Sequence, residues 1–580
     1  MIKIKDPRQV ELFDRFAELL GPSAYRRMKE GWQGCFRECI LYLLSDTVEK
    51  FSCHLSMLTG PETKELFSMA GLMSVKEFFK WTNNDAVDRY NVDLAIQYAL
   101  NIDQGAEISR ATFFRYQKLF REEDIGREVM RLITDTLLRK ANLDLSEQRL
   151  DSTHVLGNMA VFSRRRLMHN TIFTFLAQLK RHHEAGYREL PEDFLVRYTA
   201  DDGWCFAENS PMLTLHYGNI KATPEEQLGY DMRLLLERFH ADVVISNGTK
   251  YKIMKRVFDE QFFDDGKVQL KKHPGGKVLV NPSDPDAEIG HKGAGYQVQI
   301  MQTCSKNNEV QMITNVLPQG ASASDMDSLK TMVDMTIESN TKPETLLTDA
   351  GYGSDTNVCY AQQHEIEQLA PTTGKKKDQL GLEECTLDEL NRIESCPAGK
   401  RPMKSRFNYD AQTGYALFFK DVCENCPLKS RCQVQKSGKN NYKWPYDAAR
   451  LRLRDRRLYE RTPEFHARYA PRNGNESLNG NLKQNTPLRR LRCRGKTAVH
   501  TAIYMIAAMH NIMQYAAYCR KTGKSFIGKE ISTAFTRLTT FFHRFFAFLQ
   551  PFPTLPGVFT FLNGWEKVIS NPLRFLRSAL

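Results

Sequence analysis

The chain has 580 residues, 41% of them hydrophobic and 26% charged, with a formal net charge of +12. That length leaves room for three or four domains of about 150 residues each, and a composition this ordinary excludes a low-complexity or fibrous chain. The positive excess favours a polyanionic partner, nucleic acid ahead of a membrane surface, without identifying one. No apolar run follows the lysines of residues 1–7, so no signal peptide is expected. Residues 545–565 are uncharged but hold Pro551, Pro553 and Pro556, which makes them a poor membrane span.

Residues 1–140 read as a helical N-terminal DNA-binding region. Residues 8–20 carry Val10, Leu12, Phe13, Phe16 and Leu19 near a 3.6-residue period. Residues 108–120 open with Ser109 as a helix cap and continue as a basic, aromatic helix. This segment has the character of a recognition helix in a helix-turn-helix, with Arg110, Thr112 and Arg115 toward DNA. An ordinary surface helix is an equal reading.

Strand patterns begin near Arg149. Residues 296–300 alternate apolar and polar, as in a half-buried strand, and residues 310–317 make a neighbour across a turn at 306–308. Residues 324–337 are helical, residues 344–348 form a short strand ending at Asp349, and residues 366–370 form another. From about 455 to 518 the chain reads as helical, with a loop near Asn475. The fold class is therefore α/β, a mixed sheet with flanking helices over residues 141–520. Two segments interrupt it: a mostly helical one at about 160–275 and a Cys-rich one at about 372–445. Residues 521–580 form an aromatic tail, with Phe541, Phe542, Phe545, Phe546 and Phe548, to which no role is assigned.

Three carboxylates stand out: Asp151 on a strand, Asp349 where a strand runs into a glycine turn, and Glu476 in the basic C-terminal part. Convergent carboxylates hold magnesium, and two such ions clamp the attacking and leaving oxygens of a phosphodiester. On a helix, Arg472, Glu476 and Lys483 would share an arc of about 40°, with Tyr469 just ahead of it, free to stack on a base. Pro471, Gly474 and Gly480 are poor interior residues for such a helix. Asp284 and Asp286 are rival ligands, and His154 could orient Asp151 or simply pack. Arg489, Arg490, Arg492 and Arg494 form a basic run beside Glu476, suited to a DNA channel. Cys396, Cys423, Cys426 and Cys432 lie within 37 residues and include a C-x-x-C pair, a set that can hold structural zinc or remain as reduced thiols.

The spacing Tyr469-x-x-Arg472-x-x-x-Glu476-x-x-x-x-x-x-Lys483 resembles the Y-R-E-K signature of bacterial insertion-sequence DDE transposases. The blocks Asp151-Ser-Thr-His154, Asp284-Pro-Asp-Ala287 with Gly295-Tyr296, Asp349-Ala-Gly-Tyr352 and Leu488-Arg-Arg-Leu-Arg-Cys-Arg-Gly495 resemble that group in the same order, over roughly residues 30–515. The resemblance implies a ribonuclease-H-like core in which Asp151, Asp349 and Glu476 hold two Mg2+ ions, with Mn2+ able to substitute. It further implies double-stranded DNA as partner, both element ends and target, and strand cleavage followed by strand transfer, with the second strand often cut through a hairpin. A homodimer in the synaptic complex and a cytoplasmic, nucleoid-associated location in a bacterium follow from it. A metal-dependent nuclease without strand transfer and an inactive transposase-derived DNA-binding protein remain alternatives.

Overall fold

The computed structural model describes residues 2–5, 7, 14–55, 63–122, 124–199, 216–217, 220–374 and 378–526. The start of the first expected helix, at residues 8–13, and most of the aromatic tail lie outside the described residues.

The main sheet has six strands, the short Glu288–Gly290 and five others: β1 (Glu147–Val155), β2 (Gly293–Thr303), β3 (Ile313–Gly320), β4 (Thr345–Leu347) and β5 (Glu367–Leu369). Their order is β5–β4–β1–β2–β3. β1 and β2 run antiparallel with Asp151 opposite Ile300, and β3 returns antiparallel along β2. β4 and β5 run parallel to β1. Glu288–Gly290 folds back as a hairpin on the start of β2. The result is the mixed α/β architecture expected.

β2 departs from the half-buried pattern. Its polar positions Gln297 and Gln299 are 1% and 0% exposed. They tolerate burial because their amides donate to the Ala323 carbonyl (2.7 Å) and to Asp325 (3.0 Å). Helices cover both faces of this central strand, so alternation marks chemistry here and not exposure.

The helices that matter to the site are, in chain order, α1 (Leu66–Lys76), α2 (Asn83–Val92), α3 (Arg110–Glu122) and α4 (Ile125–Ala141) in the N-terminal region. The insertion after β1 supplies α5 (Arg164–His182), α6 (Pro224–Phe239) and α7 (Thr249–Gln261). α6 starts where Thr223 and Glu226 form a capping box ahead of Pro224. This insertion has a core of its own, built around Phe175, Met254 and Phe239. α8 (Asp325–Glu338) and α9 (Asp355–Gln363) then pack on one face of the sheet, closing over Leu150, Met301 and Leu346.

The Cys-rich insertion folds as an antiparallel sheet of β6 (Lys404–Asn408), β7 (Thr413–Phe419), β8 (Gln435–Ser437) and β9 (Asn441–Asp447), ordered β6–β7–β9–β8 around Trp444 and Phe418. It ends two residues beyond the boundary expected from sequence.

The C-terminal helices are α10 (Ala448–Glu460), α11 (Pro463–Tyr469), α12 (Gly474–Asn485) and α13 (Lys496–Thr522). The expected loop near Asn475 is absent: a tight turn at Ala470–Asn473 absorbs Pro471, and Asn475 already lies in the first turn of α12. Gly480 is tolerated because that side of the helix is open. α13 buries 18 of its 27 residues against α4 and the second face of the sheet. Its Asn511 accepts from the Ile313 amide (2.9 Å) and donates to the Ile313 carbonyl (2.7 Å), substituting for a strand partner at the sheet edge. Among the described residues no helix is long and apolar enough to cross a membrane.

Candidate active site and nucleic-acid cleft

Strand register brings the two aspartates together. Arg149 on β1 stands beside Leu347 on β4. Asp151 and Asp349 each lie two residues further along parallel neighbours, so both emerge side by side at the same end of the sheet. Asp349 caps the turn that follows, accepting from the Gly351 amide at 2.8 Å.

α12 lies against this edge. Asn475 donates to the Leu150 carbonyl (3.4 Å) and Asn479 to the Asp151 carboxylate (3.1 Å). Arg149 donates to the Pro471 carbonyl at 2.7 Å, anchoring the turn before α12. From that turn Arg472 reaches between the aspartates, with one guanidinium nitrogen 3.7 Å from Asp151 and 3.9 Å from Asp349. Its Nε is buried without a hydrogen-bond partner among the described residues. Burial raises the carboxyl of Asp151 above its ordinary value and Asp349 adds to the rise, while Arg472 and the Ser152 amide oppose it. One cation thus already balances two carboxylates drawn from distant parts of the chain.

Glu476 occupies the first turn of α12, between Arg472 and Asn479, both of which touch Asp151. It is exposed and makes no hydrogen bond or ion pair among the described residues. The three carboxylates are not closed into a metal-binding group; among the described residues no cluster of three or more His, Cys, Asp or Glu side chains is. The donor set nonetheless suits a hard divalent cation, with Arg472 holding the place of positive charge between the aspartates.

Tyr469 stacks on Phe465 with ring centroids 5.3 Å apart and donates its hydroxyl to the Thr348 carbonyl at 2.9 Å. One ring face and the hydroxyl are therefore committed to holding the strand end that carries Asp349. His154 bonds to the Ala294 carbonyl at 2.9 Å, across β1 and β2, and does not touch Asp151.

The rival ligands serve elsewhere. Asp284 is fully buried, accepts from the Tyr296 hydroxyl (2.7 Å) and from the Gly495 amide (3.1 Å), and Asp286 accepts from the Lys496 amide (2.9 Å). Both carboxylates fix the basic segment at the start of α13.

That segment forms one side of a large cleft of about 1950 Å3. Lys483, Arg489, Arg490, Arg492 and Arg494 all line it, while Tyr469 and Arg472 remain at the carboxylate end. Beyond Val155 the chain of β1 continues to pair with this segment: Leu156 exchanges bonds with Arg489 and Leu491, and the Asn158 amide donates to the Cys493 carbonyl at 2.7 Å. β1 and α12 therefore both run from the carboxylates into the cleft. The far side comes from the N-terminal helices and includes Arg110, but neither Thr112 nor Arg115.

Residues 395–516 match a family model described as a transposase DDE domain. The matched stretch contains Tyr469, Arg472, Glu476, Lys483 and the four clustered cysteines, and stops short of both aspartates. A search of curated proteins finds no match. Among solved structures, a cryo-EM piggyBac transposase synaptic complex with hairpin DNA aligns over 94% of this chain and 86% of that one, at 11% identity and a TM-score of 0.31. At that score the likeness carries no argument here.

Within the matched stretch, Cys396, Cys423, Cys426 and Cys432 line one small cavity. Burial raises the thiols of Cys423, to about 11, and Cys432. Lys429 lines the same cavity, its ammonium buried without a hydrogen-bond partner among the described residues and 3.3 Å from the centre of the Tyr442 ring.

Sequence reasoning missed several participants. Asn479 and Arg149 position the carboxylates, and Lys292 donates to Ser152, next to Asp151, and sits 3.4 Å from Asp325. No local motif flags these residues, because their roles arise from register and helix orientation.

Proposed function

We propose that this protein is a DDE-type DNA transposase on a ribonuclease-H-like core, which binds the terminal inverted repeats of a bacterial insertion sequence and performs metal-dependent strand cleavage and strand transfer. The observation that carries the reading is the single guanidinium of Arg472 shared by Asp151 and Asp349. The strand order β5–β4–β1–β2–β3 and the family match over residues 395–516 support it.

In this reading Asp151, Asp349 and Glu476 would hold two Mg2+ ions, or Mn2+ in their place, which when bound would supply Lewis-acid chemistry for phosphodiester transfer. The chain's own residues do the rest. Asn479 keeps the Asp151 carboxylate oriented, and Arg472 swings from the aspartates to a phosphate of the bound strand. Lys483, Arg489, Arg490, Arg492 and Arg494 grip the backbone, and Tyr469 braces the Asp349 strand with its free edge toward DNA. Water attacks the phosphorus at the element end, leaving a 3′ hydroxyl on the element and a 5′ phosphate on the flanking strand. That hydroxyl then attacks a target phosphorus, forming the new phosphodiester bond while the target's 3′ oxygen leaves as a free 3′ hydroxyl. Holding two ends together implies at least a dimer of this chain. The four cysteines would hold one structural Zn2+, with Lys429 offsetting the negative charge of a tetrathiolate site.

The test is incubation of end DNA and target with Mg2+, comparing the wild type with Asp349→Ala and Glu476→Gln. The wild type is expected to give joined molecules, and each variant to lose cleavage by on the order of a thousandfold while binding DNA within about twofold. Cut but unjoined DNA would mean a nuclease. Binding without any cut by the wild type would mean an inactive derivative.

A further inference from the structure

Backbone pairing alone does not fix the distance between Asp151 and Asp349. The parallel ladder between β1 and β4 ends at Arg149 and Leu347, two residues short of each carboxylate. β1 continues along β2, where Ser152 stands opposite Gln299, whereas strand pairing of β4 with both its neighbours has already stopped. Tyr469 and Gln368 hold Thr348, and neither bonds to β1 among the described residues. Arg472 bridges the two carboxylates themselves, but in the transposase reading it leaves them for a phosphate.

A link that remains runs along the other face of the sheet. Neighbouring strand residues point to opposite sides, so Ser152 faces away from Asp151, and it is buried against the start of α8. There the Asp325 carboxylate accepts from the Ser152 hydroxyl (2.9 Å) and from the Gln299 amide (3.0 Å). Gln299 in turn accepts from the hydroxyl of Tyr352, in the turn after Asp349. Gln299 and Tyr352 are fully buried. Lys292, in the turn between Glu288–Gly290 and β2, donates to Ser152 and reaches Asp325 at 3.4 Å. An aspartate in the first turn of a helix ordinarily serves that helix's own free amides. Asp325 gives its oxygens to β1, β2 and the hairpin instead, and Ser324 makes no side-chain cap either. An ionised carboxylate suits this place because it accepts on both oxygens and offers no proton. We propose that Asp325 is a positioning residue: it holds Ser152 and, through Gln299 and Tyr352, the turn after Asp349, and so sets the spacing of Asp151 and Asp349 from behind the sheet. The value of that spacing for metal rests on the transposase reading. Two ions about 4 Å apart need carboxylates placed to within about 0.5 Å, and losing an outer partner of a metal ligand weakens binding by about 10- to 100-fold.

The spacing is first measured without metal. Asp151→Cys/Asp349→Cys is made in the full chain, alone and together with Asp325→Ala, Asp325→Asn or Tyr352→Phe. The rate at which diamide forms the 151–349 disulfide, well below the melting temperature, is followed by peptide mass spectrometry. The second readout is calorimetric Mn2+ binding to the three single variants, with both aspartates in place, against the wild type. Circular dichroism and DNA binding in EDTA should stay as in the wild type. Asp325→Ala is expected to slow the disulfide and weaken Mn2+ binding by about tenfold or more. Asp325→Asn and Tyr352→Phe, which keep the shape and remove fewer bonds, should move both in the same direction by about threefold. A merely structural role would lower the melting temperature and leave the disulfide rate alone. An unchanged disulfide rate in Asp325→Ala, or in Tyr352→Phe should Asp325→Ala not fold, overturns the proposal, as does an unchanged Mn2+ affinity where the wild type binds Mn2+. A slowed disulfide with no Mn2+ bound by the wild type sinks the transposase reading and leaves the positioning role standing; unchanged disulfide rates with Mg2+-dependent cleavage by the wild type do the reverse.

Discussion

The Tyr296 hydroxyl donates to the Asp284 carboxylate at 2.7 Å inside the protein, and the same carboxylate oxygen receives the Gly495 amide at 3.1 Å. A side chain that resembles a metal ligand in the sequence is instead the buried anchor of the basic segment. Burial, reinforced by Asp284, pushes the Tyr296 hydroxyl well above its ordinary range, so the tyrosine remains a donor at any physiological pH.

Replacing Asp284 by Ala leaves two buried donors without an acceptor. We expect a loss of about 2–4 kcal/mol in urea unfolding together with weaker DNA binding, because the loop holding Arg492 and Arg494 loses its tether. Tyr296→Phe removes one bond and should cost less, about 1 kcal/mol. Equal stability of Asp284→Ala and wild type would contradict the anchoring role.

Gly474 opens α12 in direct contact with Arg149, where an added Cβ would stand 1.7 Å from a guanidinium nitrogen. Arg149 cannot retreat without giving up the Pro471 carbonyl and Gln302. Gly474→Ala should destabilise by roughly 1–3 kcal/mol and reduce cleavage more than stability alone predicts, since the helix carrying Glu476 must shift. Combining it with Arg149→Ala should restore part of the stability. Two additive losses in melting experiments would refute this coupling.

His510 is buried in α13, and burial lowers its imidazole from 6.5 to about 4. The folded state keeps it neutral while the unfolded chain takes up a proton below pH 6.5. Its stabilising contribution is therefore complete above that pH and declines as pH falls from 6.5 toward 4, by roughly 3 kcal/mol at most. His500, also lowered to about 4 by burial with Lys496 adding to the shift, acts in the same direction. Denaturation midpoints measured across this range should fall steeply for the wild type and less so for His510→Leu. An identical slope in the variant would remove His510 as the cause.

The cysteine cavity gives a chemical forecast. Protein purified in zinc-supplemented buffer and dialysed should retain close to one zinc per chain, and Cys426→Ser should lower both the zinc content and the melting temperature. Less than half an equivalent in the wild type would leave four reduced thiols.

Much of the frame is legible in the chain itself. Residues 344–348 end at Asp349 as a strand tip because the apolar run stops at a glycine turn, and the spacing from Tyr469 to Lys483 marks the segment around Glu476. Contacts that depend on register are not legible: nothing local to Asn479 predicts that it meets Asp151, because this follows from how α12 lies across β1. The loop expected near Asn475 fails for a related reason. Gly474 and Pro471 are poor helix formers, yet the close approach of Arg149 makes a glycine necessary there and the tight turn accommodates the proline. For α3, periodicity identifies a helix but not which polar side faces the cleft; Phe114 and Gln117 do, while Arg115 faces elsewhere.

The stretch that matches the transposase model begins after the last strand of the main sheet, so Glu476 and the two aspartates fall on opposite sides of that boundary. A fragment expressed from residue 395 onward would present the apolar flank of α13 to water and deprive Asn511 of Ile313, which forecasts aggregation. Co-expressing it with residues 1–394 offers the missing surface, and the pair should reassemble into one complex that co-purifies, with the Asn511–Ile313 contact restored.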